Sequence, residues 1–338
     1  MEYLRFDRLL MTNLEKSLDK EMLRTNRAGA YSSGTIVDCN TRKYHGLLVV
    51  PIEELGGNHV LLSSCDETVI QHGAEFNIGL HKYAGDYYSP RGHKYIREFR
   101  MGSVATTIYR IGGVILQKER ILVSNENRVL VAYTLLEAHS ATTLRLRPFL
   151  AFRSVNKLTE KNDRARTDYR EADNGVAFCM YEGYPELFMQ TDAPCTYHHE
   201  PNWYKGLDYP KERERGYYSS EDLLVPGYLE MPIKKGESII FSASTFESDP
   251  STFESIYAEE IATLNSDYRY LLEECACVVV AEVYTEEPTD KIYWWWYDAF
   301  TKEEYTDEAF LEDLLMFGYT PKLYLYGLWY DEEFIFAG

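Results

Sequence analysis

Short segments in which apolar and polar residues alternate dominate the chain between about residues 35 and 247. A period of two is typical of a strand with one buried face, because successive side chains point to opposite faces of a sheet. Two of these segments are separated only by the turn Ile111-Gly112-Gly113, which indicates a hairpin. Many strands at near-regular spacing predict a large antiparallel β-sandwich. The clearest alternating segments are residues 104–109, 113–121, 129–137 and 142–152.

Two stretches interrupt the alternation. Residues 153–174 are charged and polar, whereas residues 193–227 are rich in Pro, Tyr and Gly. Loops longer than about a dozen residues in a compact domain are usually either functional or disordered. The second stretch is too aromatic for disorder, so we expect a packed loop of defined shape.

A helix is expected to begin near residue 250. Asp249-Pro250 is a favourable first turn, and Ser251 with Glu254 forms a capping box. The apolar residues that follow at helical spacing are Phe253, Ile256, Tyr257, Ile261 and Leu264. This helix would form the exit from the sandwich.

The rest of the chain is aromatic and less regular. An apolar run at 277–283 and three consecutive tryptophans at 294–296 precede residues 306–317, which have the period of an amphipathic helix. Residues 322–336 indicate a hairpin. The expected units are a β domain at residues 1–268 and an aromatic-rich linker and tail at residues 269–338.

Composition narrows the range of functions. The chain has 338 residues with 29 Tyr and 15 Phe, and tyrosine favours both strands and surfaces that stack on flat ligands such as sugar rings. The formal net charge of −19 disfavours nucleic acid and anionic membranes as partners, because both would be repelled at long range. A neutral polymer is compatible with this charge.

The cysteine pattern indicates whether the protein binds a metal, and the N-terminus indicates whether it is exported. Six cysteines are scattered without a Cys-x-x-Cys pair, so the sequence predicts no metal and no cofactor. The N-terminus lacks a charged-then-apolar signal region, and no apolar stretch reaches membrane-spanning length. Reduced thiols and a cytoplasmic location are therefore the expectation.

Small residues between positions 28 and 34 would let the backbone lie close to a ligand or another surface. A short strand at residues 35–37, a polar turn and a second strand from Tyr44 are predicted to follow. Arg42 and His45 could donate hydrogen bonds to sugar hydroxyls, and Tyr44 could stack on a sugar ring. Chemistry alone favours an alternative, in which Arg42 pairs with a carboxylate and His45 is a satisfied core histidine.

A second segment, residues 202–227, combines aromatic residues that resemble a stacking platform with charged residues that would hold a loop rigid. Glycosidases need two carboxyl groups that face each other at about 5 to 9.5 Å. Glu221 and Asp222 are adjacent and would point to opposite faces of a strand, so the sequence fixes no catalytic pair. The residues of interest in this segment are Trp203, Tyr204, Tyr209, Glu212 and Arg215.

These two segments resemble a known family. The string from Asn26 to Val49, with the core Arg42-Lys43-Tyr44-His45-Gly46-Leu47-Leu48, is similar to the opening of bacterial and archaeal glycogen debranching enzymes (amylo-α-1,6-glucosidases). The segment from Trp203 to Gly227 contains Tyr-Pro-x-Glu-x-x-Arg-Gly followed by Glu-Asp and Pro-Gly, and it looks like a second signature of the same N-terminal domain. The resemblance covers roughly residues 1–268.

The resemblance implies a mainly β fold, a large antiparallel β-supersandwich, and the residue pattern after residue 268 adds a C-terminal α/β tail. In this family the sandwich precedes an (α/α)6 toroid that carries the general acid and base, so no catalytic residue is expected on this chain. The toroid's opening Pro-Trp-Phe and Trp-Gly-Arg-Asp type of segment does not occur after residue 270. The implied substrate-binding or domain-junction residues are Asn26, Arg42, Tyr44, His45, Trp203, Tyr204, Tyr209, Glu212 and Arg215.

The implied function is that of the substrate-side domain of a glycogen debranching enzyme in glycogen catabolism. Its partners would be a C-terminal (α/α)6 catalytic domain and an α-glucan such as glycogen or a maltooligosaccharide. The parent enzyme would hydrolyse α-1,6-glucosidic branch linkages, with 4-α-glucanotransferase action as a further option. One alternative is a free-standing α-glucan-binding module. Another is a small complete hydrolase whose acid and base lie among Glu212, Glu221, Asp222 and the carboxylates of the tail.

Overall fold

A computed structural model shows that the chain is mainly β. It describes residues 2–85, 87–274, 277–284, 291–298, 304–305, 325–330 and 333–336, with side chains for residues 4–85 and 87–265. Two large antiparallel sheets pack face to face over a common hydrophobic core. This arrangement confirms the predicted fold class, a large antiparallel β-supersandwich followed by a tail with helix and strands.

The first sheet has nine strands. In spatial order they are β1 (Glu2–Asp7), β9 (Ile96–Gly102), β10 (Ala105–Ile111), β11 (Val114–Leu122), β12 (Arg128–Glu137), β19 (Ser238–Ser244), β16 (Leu187–Thr191), β15 (Gly175–Phe178) and β14 (Arg170–Ala172). Strands β10, β11 and β12 are three of the four alternating segments. The predicted hairpin joins β10 to β11, with Ile111 paired to Val114.

The second sheet has ten strands. In spatial order they are β2 (Glu21–Thr25), β3 (Tyr31–Thr35), β4 (Gly46–Pro51), β5 (Asn58–Gln71), β13 (Thr142–Ser154), β18 (Ser220–Ile233), β17 (Thr196–Asp208), β7 (Leu80–Tyr83) and β8 (Tyr87–Arg91), with β6 (Ala74–Asn77) paired to β5. Strand β13 is the fourth alternating segment, and it lies at the centre of this sheet between β5 and β18.

Helices are short except for one. The predicted helix near residue 250 is present as α4 (Phe253–Glu274), after a 3-10 turn at Pro250–Thr252. The predicted capping box is wrong, because Asp249 caps the turn with a side-chain oxygen that accepts from the Ser251 amide at 2.9 Å. The other helices are α1 (Arg8–Thr12), α2 (Leu14–Ser17) and α3 (Pro210–Glu214).

Helix α4 covers the outer face of the first sheet. Alternate residues of β12 face the main core, whereas Leu130 and Ala132 face outward and pack with Phe253 at the start of the helix. Further along, the Glu260 carboxylate accepts from the amide and hydroxyl of Ser124 at 3.1 and 2.7 Å. The outer face of the first sheet is therefore closed by a helix from the same chain.

The tail contains a third sheet. Its strands, in spatial order, are β22 (Glu304–Tyr305), β21 (Lys291–Asp298), β20 (Cys277–Tyr284), β23 (Leu325–Tyr330) and β24 (Glu333–Phe336). The predicted hairpin at residues 322–336 corresponds to β23 and β24. The helix predicted at residues 306–317 lies outside the described residues. The boundary predicted after residue 268 falls inside α4 and stays a prediction. No described helix is both long and apolar enough to span a bilayer.

Two sequence-based assignments around the site need correction. The strand predicted at residues 35–37 is wrong, since β3 ends at Thr35, and the next strand begins at Gly46 rather than at Tyr44. Residues 193–227 do not form a loop but β17, α3 and most of β18. The pairing of β17 with β18 shifts register twice, and each shift breaks the period of two that would have revealed the strand.

Candidate functional site

The two segments of interest meet on the outer face of the second sheet. The turn at residues 41–45 lies against the segment at residues 209–219, where the Lys211 amide donates to the Thr41 carbonyl at 3.1 Å. A small apolar cluster separate from the main core lies on this face. Its buried members are Val49, Val60, Phe149, Ala151, Leu207, Leu223 and Val225.

Arg42 and His45 both face Glu21 of β2. Arg42 Nε donates to the two Glu21 oxygens at 2.9 and 3.1 Å, and His45 Nε2 lies 3.7 Å from one of them. Burial would raise the pKa of Glu21, but His45 and Arg42 outweigh this effect and lower the pKa to about 2. Glu21 is therefore charged at neutral pH. The structure thus contains the carboxylate pairing of Arg42 and the buried histidine of the alternative interpretation.

Lys43 connects the two segments through its side chain. Its Nζ lies 5.2 Å from the ring centroid of Tyr44 and 4.9 Å from that of Tyr217. The same Nζ lies 3.7 Å from Oε2 of Glu212, which Arg215 Nη1 approaches to 3.9 Å. Glu212 is a fully buried anchor for two cations, whereas Tyr44 is half-buried and Tyr217 is exposed.

Glu221 is the second buried carboxylate of this face. Arg153 donates to both of its oxygens, with Nη2 at 2.9 Å, and the Tyr209 hydroxyl donates to Oε2. The Thr159 amide adds a bond of 3.0 Å. Arg153 Nη1 also donates to the Lys43 carbonyl at 2.9 Å, so the Glu221 network supports the Lys43 turn from below. Burial raises the pKa of Tyr209 well above its usual range, so its hydroxyl stays a donor.

The remaining residues of interest do not lie together at one place on the sheet. Trp203 and Tyr204 are neighbours on β17, so their side chains point to opposite faces of the sheet. Trp203 packs half-buried against the main core, whereas the Tyr204 ring lies on the outer face with its centroid 4.9 Å from that of Phe149. Tyr209 is buried. These three side chains therefore do not form one stacking platform. Asn26 instead donates to carbonyls of the turn after β11, at 2.7 Å each.

A large cleft that the sequence did not predict lies beside the Glu221 network. Its volume is about 1380 Å³, and it lies between residues 152–166 and residues 181–184, with His59 and Tyr218 at its wall. The signal that could have indicated it is the charged interruption at residues 153–174. Its aromatic side chains come from separate places along the chain, so no local motif marks the cleft.

The family model described as glycogen debranching enzyme N terminal matches residues 20–240. The chain belongs to this family. Both segments and the whole outer-face surface of this glycogen debranching enzyme N-terminal domain lie inside the matched range. No curated protein sequence matches the chain.

Two solved structures are similar to parts of this domain. A bacterial glucoamylase complexed with acarbose is 8% identical with a TM-score of 0.37, and the match covers 75% of this chain and 39% of that chain. A polysaccharide lyase is 12% identical with a TM-score of 0.23, and the match covers 69% of this chain and 31% of that chain. The chain thus spans well under two thirds of the length of either protein.

The carboxylates on this face of the debranching enzyme domain already have structural partners. Glu212 and Glu221 are fully buried, and Asp222 accepts from the amides of Lys161 and Gly206 at 2.9 Å each. A glycosidase acid and base must instead face the substrate across an open gap. Among the described residues no group of His, Cys, Asp and Glu has the arrangement of a metal site. These three carboxylates are therefore held by hydrogen bonds and ion pairs within the domain.

Proposed function

We propose that the chain is the non-catalytic, substrate-side domain of an enzyme that hydrolyses α-1,6 branch linkages of an α-glucan. In this proposal a separate (α/α)6 domain supplies the general acid and base. Tyr44, Tyr217 and the side chains around Lys43 form the part of this domain that contacts the catalytic domain or the glucan beside it. The proposal includes hydrolysis in glycogen catabolism, with 4-α-glucanotransferase action as a further option.

The observation that carries the proposal is the Lys43–Glu212 contact. It joins two segments that are 169 residues apart, and Glu212 is completely buried while the tyrosines above it remain accessible. A buried ion pair costs desolvation free energy, and such pairs are best attested where they fix one arrangement of the chain. A rigid surface with accessible aromatic rings is what a docking or glucan-contacting role requires.

The first experiment tests for catalysis. The chain alone is incubated with a branched limit dextrin, and we expect no release of glucose. Release of glucose by the chain alone would contradict the proposal and support a complete hydrolase.

The second experiment tests for docking. The chain is mixed with the (α/α)6 domain of a bacterial glycogen debranching enzyme, and a one-to-one complex is expected in sedimentation velocity. Tyr217→Ala should weaken this complex, whereas Tyr87→Ala, which removes an equally exposed tyrosine elsewhere, should not. Absence of a complex together with submillimolar binding of maltohexaose by the chain alone would contradict the proposal and favour a free-standing α-glucan-binding module.

A further inference from the structure

The cleft of about 1380 Å³ has a fixed wall rather than a mobile loop. The Thr159 amide donates to Glu221 at 3.0 Å, and its carbonyl accepts from the Asp222 amide at 2.8 Å. The Lys161 amide donates to Asp222 at 2.9 Å. Backbone groups of residues 159–161 are thus bonded to the start of β18, so their side chains have a defined position.

Backbone strain is located at the same place. Phe152 is buried and has a φ of 45°, a left-handed conformation that costs a bulky residue free energy. It lies where the pairing of β13 with β5 shifts register between Leu150 and Arg153. The bulge directs Phe152 and Arg153 to the cleft, and such strained residues concentrate at ligand sites.

The floor of the cleft is aromatic. The Tyr184 ring lies 5.6 Å from Phe152, 5.4 Å from His59 and 6.3 Å from Tyr181, measured between ring centroids. The two tyrosines are only half-buried, and the exposed Tyr218, whose hydroxyl donates to Glu160 at 3.0 Å, lines the same cleft. Flat, partly accessible rings with hydroxyls suit the apolar face of a pyranose ring.

The rim of the cleft carries positive charge in a strongly acidic chain. Besides Arg153, which Glu221 neutralises, four cations and two carboxylates line the cleft. Arg166 lies 3.9 Å from Glu182, but among the described residues no carboxylate pairs with Lys157, Lys161 or Arg164. A neutral sugar needs acceptors as well as donors for its hydroxyls, whereas these three side chains are donors only. Acceptors are present as well, on Asn156, Asn162 and Glu160, so it is the surplus of positive charge that favours an anionic group.

We propose that this cleft binds a glucose unit that carries a phosphate monoester, with the pyranose ring on the tyrosines and the phosphate among Lys157, Lys161 and Arg164. Arginine and lysine are the usual phosphate ligands, and their charge-assisted hydrogen bonds are the stronger kind. The choice of glucose as the sugar rests on the proposed α-glucan role, whereas binding itself requires neither catalysis nor a partner domain.

The binding experiment uses the whole chain and defined probes. Isothermal titration at low salt compares glucose 6-phosphate, glucose 1-phosphate, inorganic phosphate, maltohexaose and maltohexaose with one phosphate ester. We expect at least one phosphorylated sugar to bind about fivefold or more tightly than both inorganic phosphate and unmodified maltohexaose. Binding should weaken as NaCl is raised, because the rim is exposed to solvent.

Matched variants locate the site. Lys157→Gln with Arg164→Gln should weaken sugar phosphate binding about tenfold or more, whereas Lys234→Gln with Lys235→Gln, which removes two exposed charges elsewhere, should leave it unchanged. Tyr218→Ala should weaken binding about threefold or more, and Tyr87→Ala should not. All six substituted positions are exposed, so the four variants are expected to fold.

The ligand could be a phosphate ester on a glucan or a free sugar phosphate, and the probes distinguish these two sources. Tighter binding of phosphorylated maltohexaose than of glucose 6-phosphate indicates an ester on the glucan. Equal affinities for these two probes indicate a free sugar phosphate. Equal affinity for phosphorylated and unmodified maltohexaose would overturn the inference, as would equal losses in the cleft and control variants. Absence of binding by any phosphorylated probe would also overturn it, without bearing on the docking and hydrolysis experiments.

Discussion

Glu21 determines how the turn at residues 41–45 is held, although its own sequence neighbourhood gives no sign of this. It lies on β2, it is 2% exposed, and its oxygens accept from Arg42 and contact His45. The His45 Nδ1 accepts from the Thr41 amide at 3.1 Å, which leaves the Nε2 hydrogen directed at Glu21. One buried carboxylate therefore holds two of the three functional candidates of the turn, Arg42 and His45.

Glu21→Gln should destabilise the fold by about 3–5 kcal/mol at pH 7, because it leaves the Arg42 guanidinium without its buried counter-charge. Urea unfolding measures this loss. Glu186→Gln, which breaks the exposed pair with Arg170, is the control and should cost less than about 1 kcal/mol. Equal effects of the two substitutions would show that Glu21 is not the anchor of the turn.

The same pair predicts a pH dependence. The folded-state pKa of Glu21 is lowered to about 2, below the unfolded value near 4.5, so its contribution is present above about pH 4.5 and is lost as pH falls towards 2. The difference in stability between the native chain and Glu21→Gln should therefore shrink over this range. A difference that stays constant down to pH 2 would contradict the lowered pKa.

At the scale of elements, Gly46 is the first residue of β4 and occupies a position where a side chain does not fit. A Cβ at this position would lie 2.7 Å from Val49 Cγ2 and 2.9 Å from Val60 Cγ1. Both contacts are to branched, buried side chains of the outer-face cluster, which cannot move aside easily. Strand β4 can therefore pass over this cluster only if residue 46 has no side chain.

Gly46→Ala should therefore cost about 1–3 kcal/mol through overpacking. Gly113→Ala is the matched control, because its Cβ would meet only the exposed side chain of His139 at 3.3 Å. Thermal unfolding of both variants provides the comparison. A Gly46→Ala variant as stable as Gly113→Ala would show that the cluster has room for the methyl group.

How far the sequence predicts these elements depends on burial. Strand β11 and the first half of β13 alternate cleanly because one face is buried and the other is only partly buried, whereas α4 also covers the outer face of β12. The positions of β10 to β13 were all predicted. Strand β17 has two register shifts and a left-handed Gly206, so its periodicity is lost. The site residues were found as local strings, but their partners are not local: Glu21 and Glu212 lie 21 and 169 positions from the residues they bind.

At the scale of the whole molecule, a buried ion network joins the two sheets. Lys118 of β11 is 3% exposed and donates to Asp38 at 3.0 Å, and it also pairs with Glu67 of β5. The Tyr133 hydroxyl of β12 donates to the same Glu67 at 2.6 Å. Burial raises the pKa of Glu67 although the nearby Lys118 lowers it. The desolvation of this carboxylate therefore outweighs its attraction to Lys118. Its geometry fixes how one sheet sits on the other.

Lys118→Met should cost about 3–5 kcal/mol, because it leaves the buried Glu67 and the partly buried Asp38 with less compensating charge. The double variant Lys118→Met with Glu67→Gln should lose less stability than the sum of the two single variants, since the uncompensated charge is gone. Urea unfolding of the full cycle gives the coupling free energy, with Lys235→Met as an exposed control. Additive losses would contradict a coupled network.

The distance along the chain between Lys43 and Glu212 has a consequence for the order of folding. Closing a loop of 169 residues has a high entropic cost, and it can be offset only when β5, β13 and β18 already hold the two ends near each other. We therefore expect the tyrosines above the contact to be arranged late, after the central sheet has formed. Ribosome-bound chains that end before β18 would therefore lack this surface altogether, so recognition of a partner through it must wait for the sandwich to be complete.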